Sequence, residues 1–137
     1  PKLLPGACVI VESTSPVGTT ERVAAIIAEL RPDLAVPRDG STDEADIALA
    51  YCPERVLPGR IVNELVHNDR VIGGVTAACA ERAAVLYTSF VKGACLTTTA
   101  RVAETVKLVE NSFRDVNIAF ANQLSMIADV IGVDVWE

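Results

Sequence analysis

The chain has 137 residues, half of them apolar but only 4% aromatic, with 12 basic residues against 18 acidic ones and a formal charge of −6. That length holds one domain or parts of two, and the acidic surplus argues against a nucleic-acid-binding surface, which carries the opposite balance. The high apolar fraction excludes disorder over most of the chain, and no apolar run approaches the ~20 residues that span a bilayer.

Ala7–Glu12 is a β-branched run that predicts a buried strand. Ser13–Gly18 punctuates it. Thr19 or Thr20 is placed to cap a helix, with Glu21 favourable in its first turn. Val23, Ile26, Ile27 and Leu30 recur at helical spacing, and Pro32 stops the run. Arg31–Ala45, with Pro32, Pro37 and Gly40, reads as a surface excursion. Asp46–Tyr51 predicts a second strand, running into a turn-rich segment, Cys52–Arg60, that contains Pro53 and Pro58. A short helix follows at Ile61–Val66 and a third strand at Arg70–Val75. Thr76 then caps a helix over Ala77–Val91, and Ala94–Thr97 predicts a fourth strand.

The last segment carries the strongest periodicity. Val106, Val109, Phe113, Val116, Phe120, Leu124, Ile127 and Ile131 follow one another by three or four residues. They form one stripe of a long helix that begins near Arg101 and ends before Gly132. Alternating strands and helices imply an α/β fold with a parallel sheet, whose ligands bind where strands end. The chain opens at Pro1 and stops at Glu137 inside an apolar pattern, which predicts a piece of a longer protein.

Cys8, Cys52, Cys79 and Cys95 have no CxxC spacing, and one histidine completes no zinc set, so no metal site is expected. Each cysteine sits among small apolar residues, as core thiols of a cytoplasmic protein do. His67 reads as a surface or capping residue. Gly73-Gly74 is too short for a phosphate loop, and no GxGxxG exists in the chain.

Three clusters could carry chemistry. Ser13–Thr20 offers hydroxyls and N–H groups at a helix start, suited to phosphate, ribose or a bound water; pattern alone favours a plain capped turn. In Tyr51–Arg60, Glu54 stands on a proline-bounded loop at a strand end, as a general base does. Extended backbone at Arg55–Leu57 and the Arg60 guanidinium could meet a ligand. The alternative is a solvated loop with an incidental ion pair. Lys107 and Asn111, four residues apart, share a helix face with Glu104 and Asp115. A lysine beside a carboxamide can donate to a developing oxyanion, whereas a solvated face would hold only a Glu104–Lys107 pair.

Glu12–Gly18, Tyr51–Arg55 and Glu104–Asn122 together resemble the UDP-glucose/GDP-mannose dehydrogenase family, and the resemblance runs over essentially the whole chain. Tyr51–Arg60, Asn68–Gly74 and Glu110–Asn122 are most similar to the branch that oxidises UDP-N-acetylmannosamine. The resemblance implies an NAD-dependent, four-electron oxidation of a UDP-sugar C6 alcohol to a uronic acid. UDP-N-acetylglucosamine and UDP-glucose are alternative substrates, and a non-catalytic helix-mediated dimerisation module is the alternative role for these 137 residues alone. It also implies that residues 1–99 are the C-terminal half of a Rossmann NAD-binding domain. Residues 100–137 would open a central helical segment that supports a homodimer, without nucleic-acid or membrane partners.

By the same resemblance, Glu54 is the base for thioester hydrolysis, and Lys107 and Asn111 stabilise oxyanions at C6. Thr14 helps hold the catalytic water near the nicotinamide, with Ser13 beside it at the cofactor. Arg55, Val56 and Leu57 contact the sugar nucleotide through their backbone. Members that take UDP-glucose usually carry a second glutamate four residues after the first. That position here is Pro58, followed by Gly59-Arg60, which favours an N-acetylated sugar. The family's nucleophilic cysteine and its GxGxxG turn fall outside these 137 residues, which implies that they are inactive by themselves.

Overall fold

Three short apolar runs and one threonine-rich run pair into a single sheet. The computed structural model describes residues 3–41, 44–56, 59 and 61–136. Its strands are β1 (Cys8–Val11), β2 (Ala48–Tyr51), β3 (Arg70–Gly74) and β4 (Cys95–Thr99). Its helices are α1 (Thr19–Leu30), α2 (Ile61–His67), α3 (Ala77–Thr88) and α4 (Ala100–Ile131). The spatial order is β1-β2-β3-β4. Each element falls where the sequence pattern puts it. Leu34 and Pro37 of the expected surface excursion are buried, and Leu34 packs beneath α1 with Ala24 and Leu49.

One expectation is corrected. The sheet is mixed: β1–β2 and β3–β4 are parallel, but β2 and β3 are antiparallel, paired only at Ala50↔Gly74 and Tyr51↔Gly73. A parallel crossover needs a helix with an apolar stripe laid across the sheet. The connecting α2 has seven residues and buries none of them, so it crosses no face. The chain leaves β2 and enters β3 at the same end of the sheet.

The pleat sorts side chains onto two faces. Ala50 and Ile72 face α3 and pack with Ala83, Tyr87 and Val91. Val9, Leu49 and Val75 face α1. The two glycines of β3 set how closely the helices lie. A Cβ on Gly73 would stand 2.5 Å from the Thr99 carbonyl and 2.7 Å from Ala103 Cβ, and one on Gly74 would meet Ala80 and Thr76. α3 therefore lies against one side of β3 and the start of α4 against the other.

Thr76 caps α3 by accepting from the Cys79 N–H at 3.3 Å. Thr99 caps α4 by accepting from Val102 at 3.3 Å. α4 ends at Gly132, in the left-handed region (φ 72°), with Val133 N–H on the Ala128 carbonyl at 2.9 Å. Because β4 runs against β1 and β2, α4 returns towards the end where those two strands finish, and beyond Asn111 nearly every residue is exposed.

Candidate active site

The segments after β1 and β2 both meet α4 at that strand end. The N-cap position of α1 is Gly18, held in the left-handed region (φ 92°) and with no side chain of its own to cap the helix. Neither Thr19 nor Thr20 caps it as the sequence suggested. Thr19 Oγ1 donates to the Pro16 carbonyl at 2.6 Å. The cap is Glu104 of α4, fully buried, which accepts from Gly18 N–H at 2.6 Å, Thr20 N–H at 2.8 Å and Thr20 Oγ1 at 2.7 Å. The helix start is therefore occupied by a carboxylate of the chain itself. The expectation that its N–H groups stand free for a phosphate is overturned for Gly18 and Thr20, because a buried carboxylate pairs with the positive helix end. Ser13 and Thr14 remain exposed above the end of β1.

The second segment is tied to the same helix. Pro53 and Cys52 are buried and Glu54 is exposed. Glu54 N–H donates to the Glu12 carbonyl at 3.4 Å, and the Glu54 carbonyl accepts from Lys107 Nζ at 2.7 Å. Lys107 pairs here and not with Glu104. Arg55 makes a forked pair with Glu110, at 3.1 and 2.5 Å, and donates to the Asp69 carbonyl at 3.3 Å. Its own carbonyl accepts from Asn68 Nδ2 at 3.0 Å. The described part of this loop is thus tied to Glu12, to α4 and to Asn68–Asp69. Leu57, Pro58 and Arg60 lie outside the described residues.

A cavity of about 830 Å³ opens between this loop and α4, lined by Arg55, Val56, Asn68, Lys107, Arg114 and Asn117 among others. The size suits a small-molecule ligand. Lys107 and Arg114, seven residues apart on one helix face, bring positive charge to it, Glu64 brings negative charge, and Arg55 is paired with Glu110. Arg114, Asn117 and Asn68 were missed from the sequence. The seven-residue spacing from Lys107 to Arg114 was the available signal for the first. Thr14, Glu54 and Asn111 are not in the lining; Glu54 joins it through its bond to Lys107, and Asn111 is half-buried one turn along the same helix face.

Two cysteines, Cys52 and Cys79, are core residues as expected, whereas Cys8 is exposed and Cys95 half-buried. Burial pushes the Cys52 thiol up to about 11, so it stays protonated near neutrality and is no nucleophile. Burial and its bond to Glu12 (2.6 Å) hold the Tyr87 phenol protonated. At the exposed rim, the Arg101 guanidinium forks onto Glu21 at 2.6 and 2.7 Å and holds that carboxyl below its ordinary value. His67 is exposed, with Nδ1 at 2.9 Å from the Asn63 carbonyl.

Fold and site together define a Rossmann-like α/β unit whose sheet edge is joined to a long helix. The model of the NAD-binding domain of the UDP-glucose/GDP-mannose dehydrogenase family matches residues 2–91, and that of the family's central domain matches residues 101–137. The chain belongs to this family. It is 58% identical over its whole length to a UDP-N-acetyl-D-mannosamine dehydrogenase of Yersinia pestis and to an NDP-N-acetyl-D-galactosaminuronic acid dehydrogenase of Ralstonia nicotianae. It spans 32% of the length of either relative. A solved UDP-D-ManNAc dehydrogenase of Pyrococcus horikoshii superimposes with a TM-score of 0.86 at 48% identity, covering 98% of this chain and 30% of that one.

Ser13 and Thr14 are exposed at the C-terminal end of β1, where α/β sheets take their ligands, and their hydroxyls fit the polar groups of an NAD. No phosphate cradle is available at α1, because Glu104 fills it.

Proposed function

We propose that the chain is part of an NAD-dependent UDP-sugar 6-dehydrogenase that converts UDP-N-acetylmannosamine to UDP-N-acetylmannosaminuronate. The observation that carries this reading is the Lys107 Nζ bond to the Glu54 carbonyl, 2.7 Å long. It joins the loop glutamate to the helix face of Lys107 and Asn111, beside a cavity lined by Arg55, Lys107 and Arg114 together with Glu64 and Glu110. Relatives named for this reaction share 58% of the chain.

NAD supplies the hydride acceptor. The protein's own groups handle charge and protons. Each oxidation of C6, from alcohol to aldehyde and from trapped aldehyde to thioester, builds negative charge on oxygen. The Lys107 ammonium has N–H groups to spare beyond its bond to Glu54, and the Asn111 carboxamide lies one turn away; both donate to that oxygen. The Glu54 carboxylate then takes a proton from the water that releases the acid, and Thr14 holds that water. Ser13 and Thr14 touch the cofactor. The backbone of Arg55, Val56 and Leu57, with the Arg60 guanidinium, contacts the sugar nucleotide. The thiol that traps the aldehyde is assigned to none of the four cysteines, and on this reading residues 1–137 alone form no NADH. The exposed apolar stripe of α4 pairs with a second copy, so the enzyme is a homodimer, and its free cysteines suit the reducing cytoplasm.

The Ralstonia relative, equally similar, favours one second reading, in which the sugar is N-acetylgalactosamine. The test is NADH formed per mole of sugar nucleotide by the full-length protein. UDP-N-acetylmannosamine, UDP-N-acetylgalactosamine, UDP-N-acetylglucosamine and UDP-glucose are compared side by side. Two NADH from the mannosamine substrate alone is expected. Two from another sugar keeps the chemistry and overturns the substrate; none from any overturns the enzyme and leaves an assembly module.

A further inference from the structure

We infer that Glu104 is a positioning residue of this site, whose buried carboxylate sets the segment carrying Ser13 and Thr14 against the helix carrying Lys107 and Asn111. The inference rests on the reading of those four residues given above. A fully buried carboxylate is costly unless it is hydrogen-bonded or paired. No lysine or arginine pairs with Glu104 among the described residues; its partners are Gly18 N–H, Thr20 N–H and Thr20 Oγ1, all at 2.6 to 2.8 Å. These groups belong to the positive end of α1 and lie 84 to 86 residues away in sequence.

A serine or aspartate at position 18 would cap α1 locally without burying a remote charge. What the remote cap adds is register between two elements. Glu104 stands three residues before Lys107 on α4. Within one turn of this helix, one side chain therefore fixes the segment after β1 and another, through the Glu54 carbonyl, fixes the segment after β2. The neighbouring Arg101–Glu21 pair joins the same two helices, but Arg101 is exposed and the pair is screened by solvent. The dry, short bonds of Glu104 hold the geometry.

The test uses the full-length protein with Glu104→Gln, Glu104→Asp and Thr20→Val. Glutamine keeps the volume but turns an N–H towards one of the donors; valine removes only the Oγ1 donor. Three readouts are taken: folding by circular dichroism at the assay temperature, amide hydrogen exchange over residues 13–20, and kcat and KM for the sugar nucleotide. For folded Glu104→Gln, exchange over 13–20 rises about tenfold, as expected when a local opening loses its hydrogen bonds. The kcat falls about 10- to 100-fold with KM nearly unchanged, as for a displacement of about 1 Å at reacting groups. Glu104→Asp recovers part of the loss, and Thr20→Val shows a smaller loss in the same direction. If Glu104→Gln does not fold, Thr20→Val decides. A folded variant with wild-type exchange, or one that melts earlier yet keeps its kcat, overturns the inference. If the unsubstituted protein forms no NADH from any UDP-sugar, the functional reading fails, and exchange still judges the contact.

Discussion

Lys107 ties the segment after β2 to α4, and the proposed function gives its ammonium a second, chemical duty. The bond to the Glu54 carbonyl holds the loop; in the proposed mechanism the remaining N–H groups neutralise oxyanions. Lys107→Ala in the full-length enzyme is expected to lower kcat about 10²- to 10³-fold, the range for losing one preorganised oxyanion donor. Steady-state kinetics that show only a raised KM would contradict this role. Cys52 makes the opposite case, a thiol beside the site that takes no part in it. Its proton stays on below about pH 11, because burial disfavours the thiolate. Alkylation of the native protein at pH 8 should therefore modify exposed Cys8 well before Cys52. Mass spectrometry that finds Cys52 labelled as fast as Cys8 would refute the assignment.

Among the elements, β3 decides how closely the layers approach. Gly73 lies where α4 begins, and an added methyl would stand 2.5 Å from the Thr99 carbonyl and 2.8 Å from Ala100 Cα. Those atoms are backbone and cannot swing aside. Gly73→Ala should cost about 1–3 kcal/mol, the usual penalty for overpacking a filled core, measured as a lower urea midpoint at unchanged slope. Because α4 rests on Gly73 and carries Lys107 seven residues from Ala100, the same substitution also shifts the helix that positions the site. The short α2 matters for a related reason. By crossing no face of the sheet, it leaves Glu54 and Arg55 at the strand end where they reach α4.

At the scale of the whole molecule, α4 projects away from the sheet. Val109, Phe113, Val116, Phe120, Leu124 and Ile127 stand between 45% and 72% exposed, and one contiguous apolar stripe of that length needs a cover. Their spacing of three and four residues is the pattern by which two helices interlock. Light scattering of the full-length protein is expected to give a dimer mass, and Val116→Glu with Phe120→Glu a monomer. A monomer mass for the unsubstituted protein would end the proposal. No helix among the described residues is long and apolar enough to cross a membrane, so the stripe is not a spanning segment.

The sequence alone determined the elements, because each rests on local signals. β-branched runs marked β1 and β3, Thr76 and Gly132 marked helix ends, and the Val106-to-Ile131 period marked α4. It also placed Glu54, Lys107 and Asn111 as candidates, since spacing along one helix and position after a strand are local facts. Tertiary structure decided what those signals could not hold. The antiparallel β2–β3 pairing depends on whether the connection can bury a face, not on the strands themselves. The cap of α1 comes from Glu104, more than 80 residues away, so a search for caps among neighbouring residues names Thr19 or Thr20 instead. The bond from Lys107 to the Glu54 carbonyl is equally remote, and it involves a backbone oxygen that every residue possesses. Long-range partners of this kind are set by how layers pack, and one chain's residue order records that packing only indirectly.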